Sequence, residues 1–257
     1  MSYALITGAS KGIGKAIAFE LAKHNYDILL TARSSGLLQN VSDEIKRLFP
    51  VQVNFIAIDL SEPGATQKLY DWCIENNYSV SVLVNNAGYG LAGSFEKHSL
   101  KENTNLLQLN IIAPTQLCHL FIKLLKQQPQ SYLMNIVSTS AYQAVPLLTI
   151  YAASKAYMLN FSRALRHELA GTSISVTTIS PGPTDTDFVN RAGVGGKALK
   201  MAERLNMQPH KVASVAVRAM LNKKNEIVIG FTNRLGVFLS WLLPKNFVER
   251  TTGKFYK

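Results

Sequence analysis

Short apolar runs alternate with amphipathic segments along almost the whole chain, and this alternation limits the possible folds more than any other feature. The runs contain Ile, Leu and Val without a polar residue at every second position, which is typical of strands covered on both faces. Seven runs are predicted as strands, at 3–7, 26–31, 51–58, 80–84, 131–137, 173–179 and 226–229. Helical spacing marks the segments between them, and the two longest predicted helices are 106–126 and 151–169. The pattern predicts an α/β fold, a parallel sheet with helices on both faces.

The length and composition of the chain favour one domain. A chain of 257 residues with 47% apolar residues can bury a large core. No linker rich in Pro, Gly or Ser divides it, so residues 1–257 are predicted to form a single domain. Cys73 and Cys118 have no partner at metal-ligand spacing. We therefore expect two reduced thiols, with no disulfide framework and no metal site.

The charge of the chain is strongly basic, with 27 Lys and Arg against 16 Asp and Glu, a net charge of +11. The basic residues are dispersed rather than gathered in one tract, so we do not expect nucleic-acid binding. The N-terminus lacks the basic and apolar regions of a signal peptide. The apolar stretch at 235–243 is too short to span a bilayer. We expect a cytoplasmic protein.

A glycine-rich turn follows the first predicted strand. Gly8, Gly12 and Gly14 are spaced G-x3-G-x-G, and helical periodicity begins directly after them. Glycines allow a tight turn and a close approach of the backbone to a pyrophosphate, which the N-terminus of the next helix then attracts. An ordinary strand-to-helix loop is the alternative. The position of the turn, between the first strand and the first helix, favours the pyrophosphate site.

The residues at two further strand ends bear on the choice of cofactor. A site selective for NAD usually has an acidic residue at the end of the second strand, whereas this chain has Arg33 there and Lys11 in the glycine turn. Two cations suit the 2′-phosphate of NADP, although both could be solvated surface residues. Asp59 ends the third strand, where it could accept from an adenine amino group or cap the following helix.

Four sequence motifs occur in a characteristic order. They are Thr7-Gly8-Ala9-Ser10-Lys11-Gly12-Ile13-Gly14, Asn85-Asn86-Ala87-Gly88, Ser138 thirteen residues before Tyr151-Ala152-Ala153-Ser154-Lys155, and Pro181-Gly182-Pro183-Thr184-Asp185-Thr186. Over about residues 3–185 the chain resembles the short-chain dehydrogenase/reductase family. The resemblance is to NADP-preferring members with an apolar C-terminal tail. It implies a Rossmann-type doubly wound parallel sheet of about seven strands in a single domain.

The resemblance also implies roles for individual residues. It assigns the catalytic residues as Asn110, Ser138, Tyr151 and Lys155. Together with the strand-end residues and cations described above, it gives the full set of predicted NADP-binding residues: Gly8, Ser10, Lys11, Gly12, Ile13, Gly14, Arg33, Asp59, Leu60, Asn86, Ala87, Gly88, Tyr151, Lys155, Pro181, Gly182, Thr184 and Thr186. In the family, Asn110 helps to position a water on the lysine side of the proton relay. Taken singly, the serine, the asparagine and the Tyr–Lys pair are also common as turn, core and surface residues.

The chemistry of the predicted pair follows from its spacing. Tyr151 and Lys155 are four residues apart, so they share one face of a helix. The pKa of a free tyrosine is about 10, and a neighbouring ammonium group favours the phenolate and lowers that pKa. Tyr151 is therefore predicted to give its proton to a carbonyl oxygen during hydride transfer. Ser138 is predicted to donate a hydrogen bond to the same oxygen.

The expected substrate is a hydrophobic aldehyde, a ketone or the corresponding alcohol. Residues 184–210 are predicted to form a substrate lid, with pocket residues at Phe188, Val189, Met201, Leu205 and Met207. Ala141, Tyr142, Val145, Pro146 and Leu147 are further wall candidates, and none is charged. The predicted activity is an NADP(H)-dependent oxidoreductase. The alternative is a protein that binds NADP without catalysis, or that interacts with a membrane surface.

The C-terminal tail, residues 231–257, is apolar around much of a predicted helix and also carries basic residues. It could pack on the core, lie in a subunit contact or sit on a membrane surface. Packing or subunit contact is favoured over lipid. The family resemblance suggests a homodimer or homotetramer.

Overall fold

A computed structural model describes residues 2–186, 192–193, 199 and 206–256 of the protein. The strands in this part of the chain are β1 (Tyr3–Thr7), β2 (Asp27–Ala32), β3 (Val53–Ala57), β4 (Val80–Asn85), β5 (Ser131–Ile136), β6 (Ile174–Ser180) and β7 (Glu226–Val228). They form one parallel sheet in the order β3-β2-β1-β4-β5-β6-β7. The seven predicted strands and the Rossmann-type doubly wound topology are confirmed.

Helices cover both faces of this sheet. They are α1 (Gly12–Lys23), α2 (Ser35–Leu48), α3 (Ala65–Glu75), α4 (Leu100–Leu107), α5 (Ala113–Lys126), α6 (Thr149–Glu168), α7 (Pro209–Leu221), α8 (Phe231–Leu242) and α9 (Lys245–Tyr256). Successive residues of β1 point to opposite faces: Ile6 joins the core under α1, α2 and α7, whereas Leu5 joins the core under α3, α5 and α6. Strands buried on both sides explain the continuous apolar runs.

The helical character predicted over 106–126 is confirmed, but the helical segment begins earlier, at Leu100, and its geometry is not uniform. The chain forms α4, then a π-helical turn at Gln108–Ile112, and then α5. The turn contains Asn110, whose side chain bonds to the backbone of Tyr89 in another part of the chain. Since this contact is tertiary, the local periodicity carries no trace of it. Short π-helical turns are frequent at functional sites.

The order of the strands locates a crevice. From β1 the chain builds β2 and β3 on one side and then returns to add β4 on the other side of β1. Ligands of open α/β sheets bind beyond the carboxyl ends of the strands at such a reversal. The glycine turn follows β1, and Asn86-Ala87-Gly88 follows β4. Both motifs therefore lie at the place where this topology favours a ligand.

The C-terminal tail forms the two helices α8 and α9. The side chain of Asn233 on α8 packs against Gly182, and Gly253 on α9 packs against Pro146. One side of each helix thus contacts the body of the protein. In the part of the chain that the structure describes, no helix has the length and apolar character needed to cross a membrane.

Candidate active site

The glycine turn after β1 requires its glycines. Gly8 and Gly12 have φ values of +65° and +59°, a backbone region that favours glycine. A Cβ atom on Gly8 would lie 2.9 Å from Cα of Ala87, so the turn lies directly against the segment after β4. Gly14 has no room for a side chain either, because a Cβ would meet the carbonyl oxygen of Gly8 and the amide of Asn86.

Hydrogen bonds join this turn to the end of β4. Nδ2 of Asn86 donates to the carbonyl oxygens of Thr7 at 2.9 Å and of Gly8 at 3.2 Å. Oγ1 of Thr7 accepts from the backbone N–H groups of Asn86 at 2.9 Å and Ala87 at 3.0 Å. Sequence reasoning gave Thr7 no role. The sequence feature that could have indicated this role is a hydroxyl side chain at the end of the strand, directly before a glycine.

The geometry of this turn fits a dinucleotide. The turn is held rigidly by Asn86 and Thr7, and glycine at positions 8 and 14 leaves backbone where side chains would otherwise fill space. Helix α1 begins at Gly12, so its first N–H groups face the end of β1. Such a helix N-terminus favours a phosphate through unpaired donors and the helix dipole. Ser10 is half-buried and Ile13 packs against the core beside it.

Arg33 and Asp59 lie together at the ends of β2 and β3. Nη1 of Arg33 is 3.7 Å from Oδ2 of Asp59, and the Arg33 side chain is 63% exposed. Oδ1 of Asp59 accepts from both the N–H and the hydroxyl of Ser61. Burial alone would raise the pKa of Asp59, but the bonds from Ser61 and the charge of Arg33 lower it.

The alternative role of Asp59 as a helix cap is wrong. The residue before α3 is Gly64, and the carboxylate of Asp59 bonds to Ser61 within the preceding loop. The next predicted residue, Leu60, is buried in the core on the α3 side of the sheet. Lys11, the second predicted cation, is exposed at the start of α1.

The amine of Lys155 is buried in the middle of the candidate site. Its Nζ donates to the carbonyl oxygen of Ile136, at the end of β5, at 3.0 Å. It also lies 5.8 Å from the ring centroid of Tyr151. Burial lowers the pKa of Lys155 to about 8, so the amine remains mostly protonated at neutral pH. Within the described ranges, no carboxylate forms an ion pair with it.

Tyr151 lies in the first turn of α6 and is buried. The positive end of a helix dipole stabilises a negative charge in the first turn, and this turn contains no acidic residue. Apolar residues surround the ring, in a cluster with Val145, Leu148 and Ala152. Lys155 and the N-terminus of α6 are therefore the two positively charged features beside the ring of Tyr151.

Asn110 is buried, and both polar atoms of its side chain form hydrogen bonds. Nδ2 donates to the carbonyl oxygen of Tyr89 at 2.9 Å and to Oγ of Ser154 at 3.1 Å, and Oδ1 accepts from the N–H of Tyr89 at 3.1 Å. A Cβ on Gly88 would lie 3.0 Å from Oδ1 of Asn110 and 3.5 Å from Nζ of Lys155. Asn110 and Lys155 therefore lie on the same side of Gly88. Sequence reasoning missed Ser154, although it directly precedes Lys155.

Ser138 follows β5 and begins a short 3-10 helix, Thr139–Tyr142. Its Oγ accepts from the N–H of Ser140 at 3.2 Å and from the Ser140 hydroxyl at 2.9 Å. Ser138 accepts both bonds, and within the described part of the chain no acceptor is found for its own hydroxyl proton. Ser138 lies two residues beyond Ile136, the hydrogen-bond partner of Lys155.

The wall candidate Tyr142 has a structural role. Its hydroxyl donates to Glu226 at 2.8 Å and lies 3.0 Å from the Ser180 hydroxyl. Arg163 holds the same carboxylate through two bonds. Burial raises the pKa of Tyr142. Tyr142 therefore ties the 3-10 helix to β6 and β7.

The segment after β6 holds the predicted threonines. Thr184 is buried and its hydroxyl donates to the carbonyl oxygen of Gly182 at 3.0 Å. The methyl group of Thr186 is the atom that a Cβ on Gly12 would meet, at 2.9 Å, so this segment closes over the glycine turn. Thr184 forms an isolated parallel bridge with Met207. Of the predicted lid, Phe188, Val189, Met201 and Leu205 lie outside the described residues.

The chain is similar to known dehydrogenases and reductases in sequence. The sequence profile described as short chain dehydrogenase matches residues 2–197 of the chain. The chain is 29% identical over 238 residues to 17-beta-hydroxysteroid dehydrogenase type 3 of Mus musculus, covering 91% of this chain and 76% of that protein. It is 34% identical over 185 residues to very-long-chain 3-oxoacyl-CoA reductase of Mus musculus, covering 70% of this chain and 58% of that protein.

A solved structure also matches the fold. A short-chain dehydrogenase from Sphingobium yanoikuyae, solved in complex with NADPH, superimposes with a TM-score of 0.83. The two chains are 25% identical, and the match covers 94% of this chain and 93% of the other.

Proposed function

Because the chain belongs to the short-chain dehydrogenase family, as an oxidoreductase acting on a CH–OH/C=O pair, we propose that it interconverts a hydrophobic ketone or aldehyde and its alcohol with NADP(H). Asn110, Ser138, Tyr151 and Lys155 are the proposed catalytic residues. A bound nicotinamide dinucleotide supplies the hydride or accepts it. The turn at Gly8–Gly14 and the segment Asn86–Gly88 would hold this cofactor, with Pro181, Gly182, Thr184 and Thr186 on its other side.

The buried amine of Lys155 is the observation that carries this proposal. Removing an ammonium group from water is costly, and an ion pair usually compensates for it. Among the residues that the structure describes, Lys155 instead has one backbone carbonyl as its hydrogen-bond partner, and it lies beside the ring of Tyr151. A group held at such a cost, with a lowered pKa at the carboxyl ends of parallel strands, is typical of a catalytic site.

The roles of the side chains follow from their surroundings. In the direction of carbonyl reduction, the hydroxyl of Tyr151 gives its proton to the carbonyl oxygen, and Lys155 stabilises the phenolate that remains. Ser138 donates its free proton to the same oxygen as negative charge develops there. Asn110 holds the loop at Tyr89 next to Lys155.

The apolar surroundings of Tyr151 support a hydrophobic substrate. Val145, Leu148 and Ala152 lie around its ring, together with Ala92 from the loop after β4. No charged residue occurs between Ser138 and Tyr151. An ionic substrate would therefore find no partner on this wall. The names of the two mouse relatives refer to a hydroxysteroid and to a very-long-chain 3-oxoacyl-CoA, and the steroid and the acyl chain of the second compound are largely apolar.

Oxidation of NADPH in the presence of graded carbonyl compounds tests the proposed function. The panel contains aldehydes and ketones that differ in size and polarity, with small keto acids and sugar phosphates as charged members. We expect kcat/KM to rise with the apolar area of the substrate, by about 10-fold for each one to two methylene groups that become buried. A preference for the small charged members would contradict the proposed substrate class.

The exposed position of Arg33 supports the choice of NADP over NAD. The guanidinium lies just beyond the end of β2 and keeps donors for a phosphate, because its contact with Asp59 is long at 3.7 Å. A carboxylate that received the ribose hydroxyls of NAD would normally occupy this place. Asp59 belongs to the next strand end and is already bonded to Ser61.

The Arg33→Ala substitution is expected to change the cofactor preference. Loss of a charge-assisted contact to a phosphate corresponds to about 1.5–3 kcal/mol, so KM for NADPH should rise about 10- to 100-fold. KM for NADH should change little. Arg47→Ala, which removes an exposed arginine at the end of α2, is the matched control. An equal change of KM for both cofactors would show that Arg33 does not contact the 2′-phosphate.

A further inference from the structure

The side of α8 that faces away from the protein is apolar. Four large residues, spaced three or four apart, form a continuous stripe on this side, and each is exposed: Phe231, Leu235, Phe238 and Leu242. Trp241 lies beside the stripe with 73% of its surface exposed, and its ring centroid is 6.4 Å from that of Phe238. We call these five residues the apolar stripe.

The apolar stripe is not the side by which α8 packs on the protein. The opposite side carries Asn233, whose Nδ2 donates to the carbonyl oxygen of Ile229 at 2.7 Å, and Ser240, which is buried. A helix on the surface of a globular protein normally turns its apolar side inward. Here polar residues anchor the helix while the aromatic residues face outward. Exposed patches of this kind mark interaction surfaces.

The outward side of α9 carries basic residues. Arg250 and Lys254 are exposed there, together with Phe247. The inward side holds Val248, which is buried, and Gly253, which contacts Pro146. We call Arg250 and Lys254 the basic face.

The two helices cover the same short part of the protein. Helix α8 packs on the 3-10 helix Thr139–Tyr142, and Thr252 of α9 accepts a hydrogen bond from Gln143. A link of only two residues, 243–244, joins the helices. The helices that carry the apolar stripe and the basic face therefore lie over the same part of the protein and are close together in the chain.

We propose that α8 and α9 dock the protein on an anionic lipid bilayer. The apolar stripe enters the boundary between head groups and acyl chains, and the basic face pairs with the head groups. Aromatic and leucine residues on one side of a helix, next to Lys and Arg, are typical of helices that lie in a membrane interface. Docking requires no cofactor, so it stands apart from the proposed catalytic function.

The positive charge of α8 and α9 favours an anionic lipid surface over a second copy of the chain as the partner. Residues 231–256 contain four basic residues and a single acidic one, Glu249, which is half-buried. A two-fold contact through this surface would place like charges opposite each other without carboxylates to pair with them. An anionic bilayer complements these charges and the net charge of +11.

Docking would also orient the candidate active site. The segment that α8 and α9 cover connects Ser138 to Tyr151. The bilayer would then lie next to a wall of the site, where an apolar carbonyl compound dissolved in lipid could enter. This consequence rests on the proposed function, whereas docking itself does not.

Sedimentation of the full chain with vesicles tests the proposal without substrate or cofactor. We expect at least about 10-fold stronger binding to vesicles of phosphatidylcholine mixed with phosphatidylglycerol than to phosphatidylcholine alone, and weaker binding as salt increases. Trp72 and Trp241 are the two tryptophans of the chain. In a Trp72→Phe background, the fluorescence of Trp241 should therefore shift to shorter wavelength on binding.

Matched variants locate the binding surface. Leu242→Glu should weaken vesicle binding about 10- to 100-fold, whereas Leu48→Glu, at the end of α2 with a similar exposure (57% against 59%), should leave binding unchanged. Neutralising Arg250 or Lys254 should weaken binding about fivefold each. Circular dichroism confirms that each variant is folded.

Three results would overturn the proposal: no binding to anionic vesicles, equal loss in both leucine variants, or a concentration-dependent dimer that Leu242→Glu dissociates. The third result would assign the apolar stripe to a second copy of the chain. Turnover of a water-soluble ketone, measured in parallel, shows separately whether the proposed catalytic function holds.

Discussion

In the Tyr151→Phe protein, kcat for carbonyl reduction is expected to fall by about 10²- to 10⁴-fold, while the cofactor binds as before. Proton transfer by a positioned side chain contributes a factor of this size. The substitution keeps the ring in its apolar cluster with Val145, Leu148 and Ala152 and removes only the hydroxyl. Steady-state oxidation of NADPH measures kcat, and the fluorescence of bound NADPH measures its affinity.

Tyr157→Phe is the control for this prediction. Tyr157 lies on the same helix, is partly exposed and stacks on Phe161 with a centroid distance of 5.9 Å. Its loss of a hydroxyl should leave kcat unchanged. Turnover that survives in Tyr151→Phe would mean that another group donates the proton. A wild-type protein that binds NADPH but never oxidises it would favour the alternative of a non-catalytic, cofactor-binding protein.

The Gly14→Ala substitution is expected to remove most of the cofactor affinity and to destabilise the fold. The added methyl group would meet the carbonyl oxygen of Gly8, a backbone atom that Asn86 already holds in place. Overpacking of this kind costs about 1–3 kcal/mol, which corresponds to about a 10- to 100-fold weaker affinity if the turn absorbs the change. Titration with NADPH and denaturant unfolding measure the two effects.

Gly36→Ala provides the matched control for Gly14→Ala. Gly36 lies in the first turn of α2, and nothing lies within 4 Å of the position where its Cβ would be. Because alanine favours a helix over glycine by up to about 1 kcal/mol, this variant should be as stable as the wild type or slightly more stable. Equal behaviour of the two variants would contradict the tight packing of the glycine turn.

The positions of the strands could be predicted closely because a strand buried on both faces has a continuous apolar sequence. Each strand needs only a short apolar run, and each run lies between segments of helical spacing. The π-helical turn between α4 and α5 could not be predicted in the same way. There the backbone widens into a π-helical turn around Asn110, which bonds to the distant backbone of Tyr89.

The hydrogen bonds that bring several of the predicted site residues together could not be predicted from the sequence. The order of the motifs predicted Asn110 and Lys155 as site residues, and the structure shows that they lie on the same side of Gly88. The role of Ser154 as a partner of Asn110 depends on the packing of α6 against the π-helical turn. Spacing along one chain segment cannot show that contact.

The outward direction of the apolar stripe could not be read from the sequence either. Periodicity shows that Phe231 and Phe238 share a side of α8, and such a side usually faces the core. The orientation is set by Asn233, which fits against Gly182 and bonds to Ile229. The favoured expectation was that the tail packs on the core or on another subunit. It did not distinguish the two sides of α8.

The bridge between Thr184 and Met207 brings together two points that lie far apart in the sequence. Backbone bonds from Asp185 to Met207 and from Met207 to Pro183 fasten the chain at neighbouring points as it leaves and re-enters the fold. When two points of a chain are already fastened together, additional residues between them add little to the entropic cost of closure. We therefore expect that a segment of new length and sequence can be grafted between these points to engineer selectivity, while the sheet and the proposed proton-transfer residues stay unchanged.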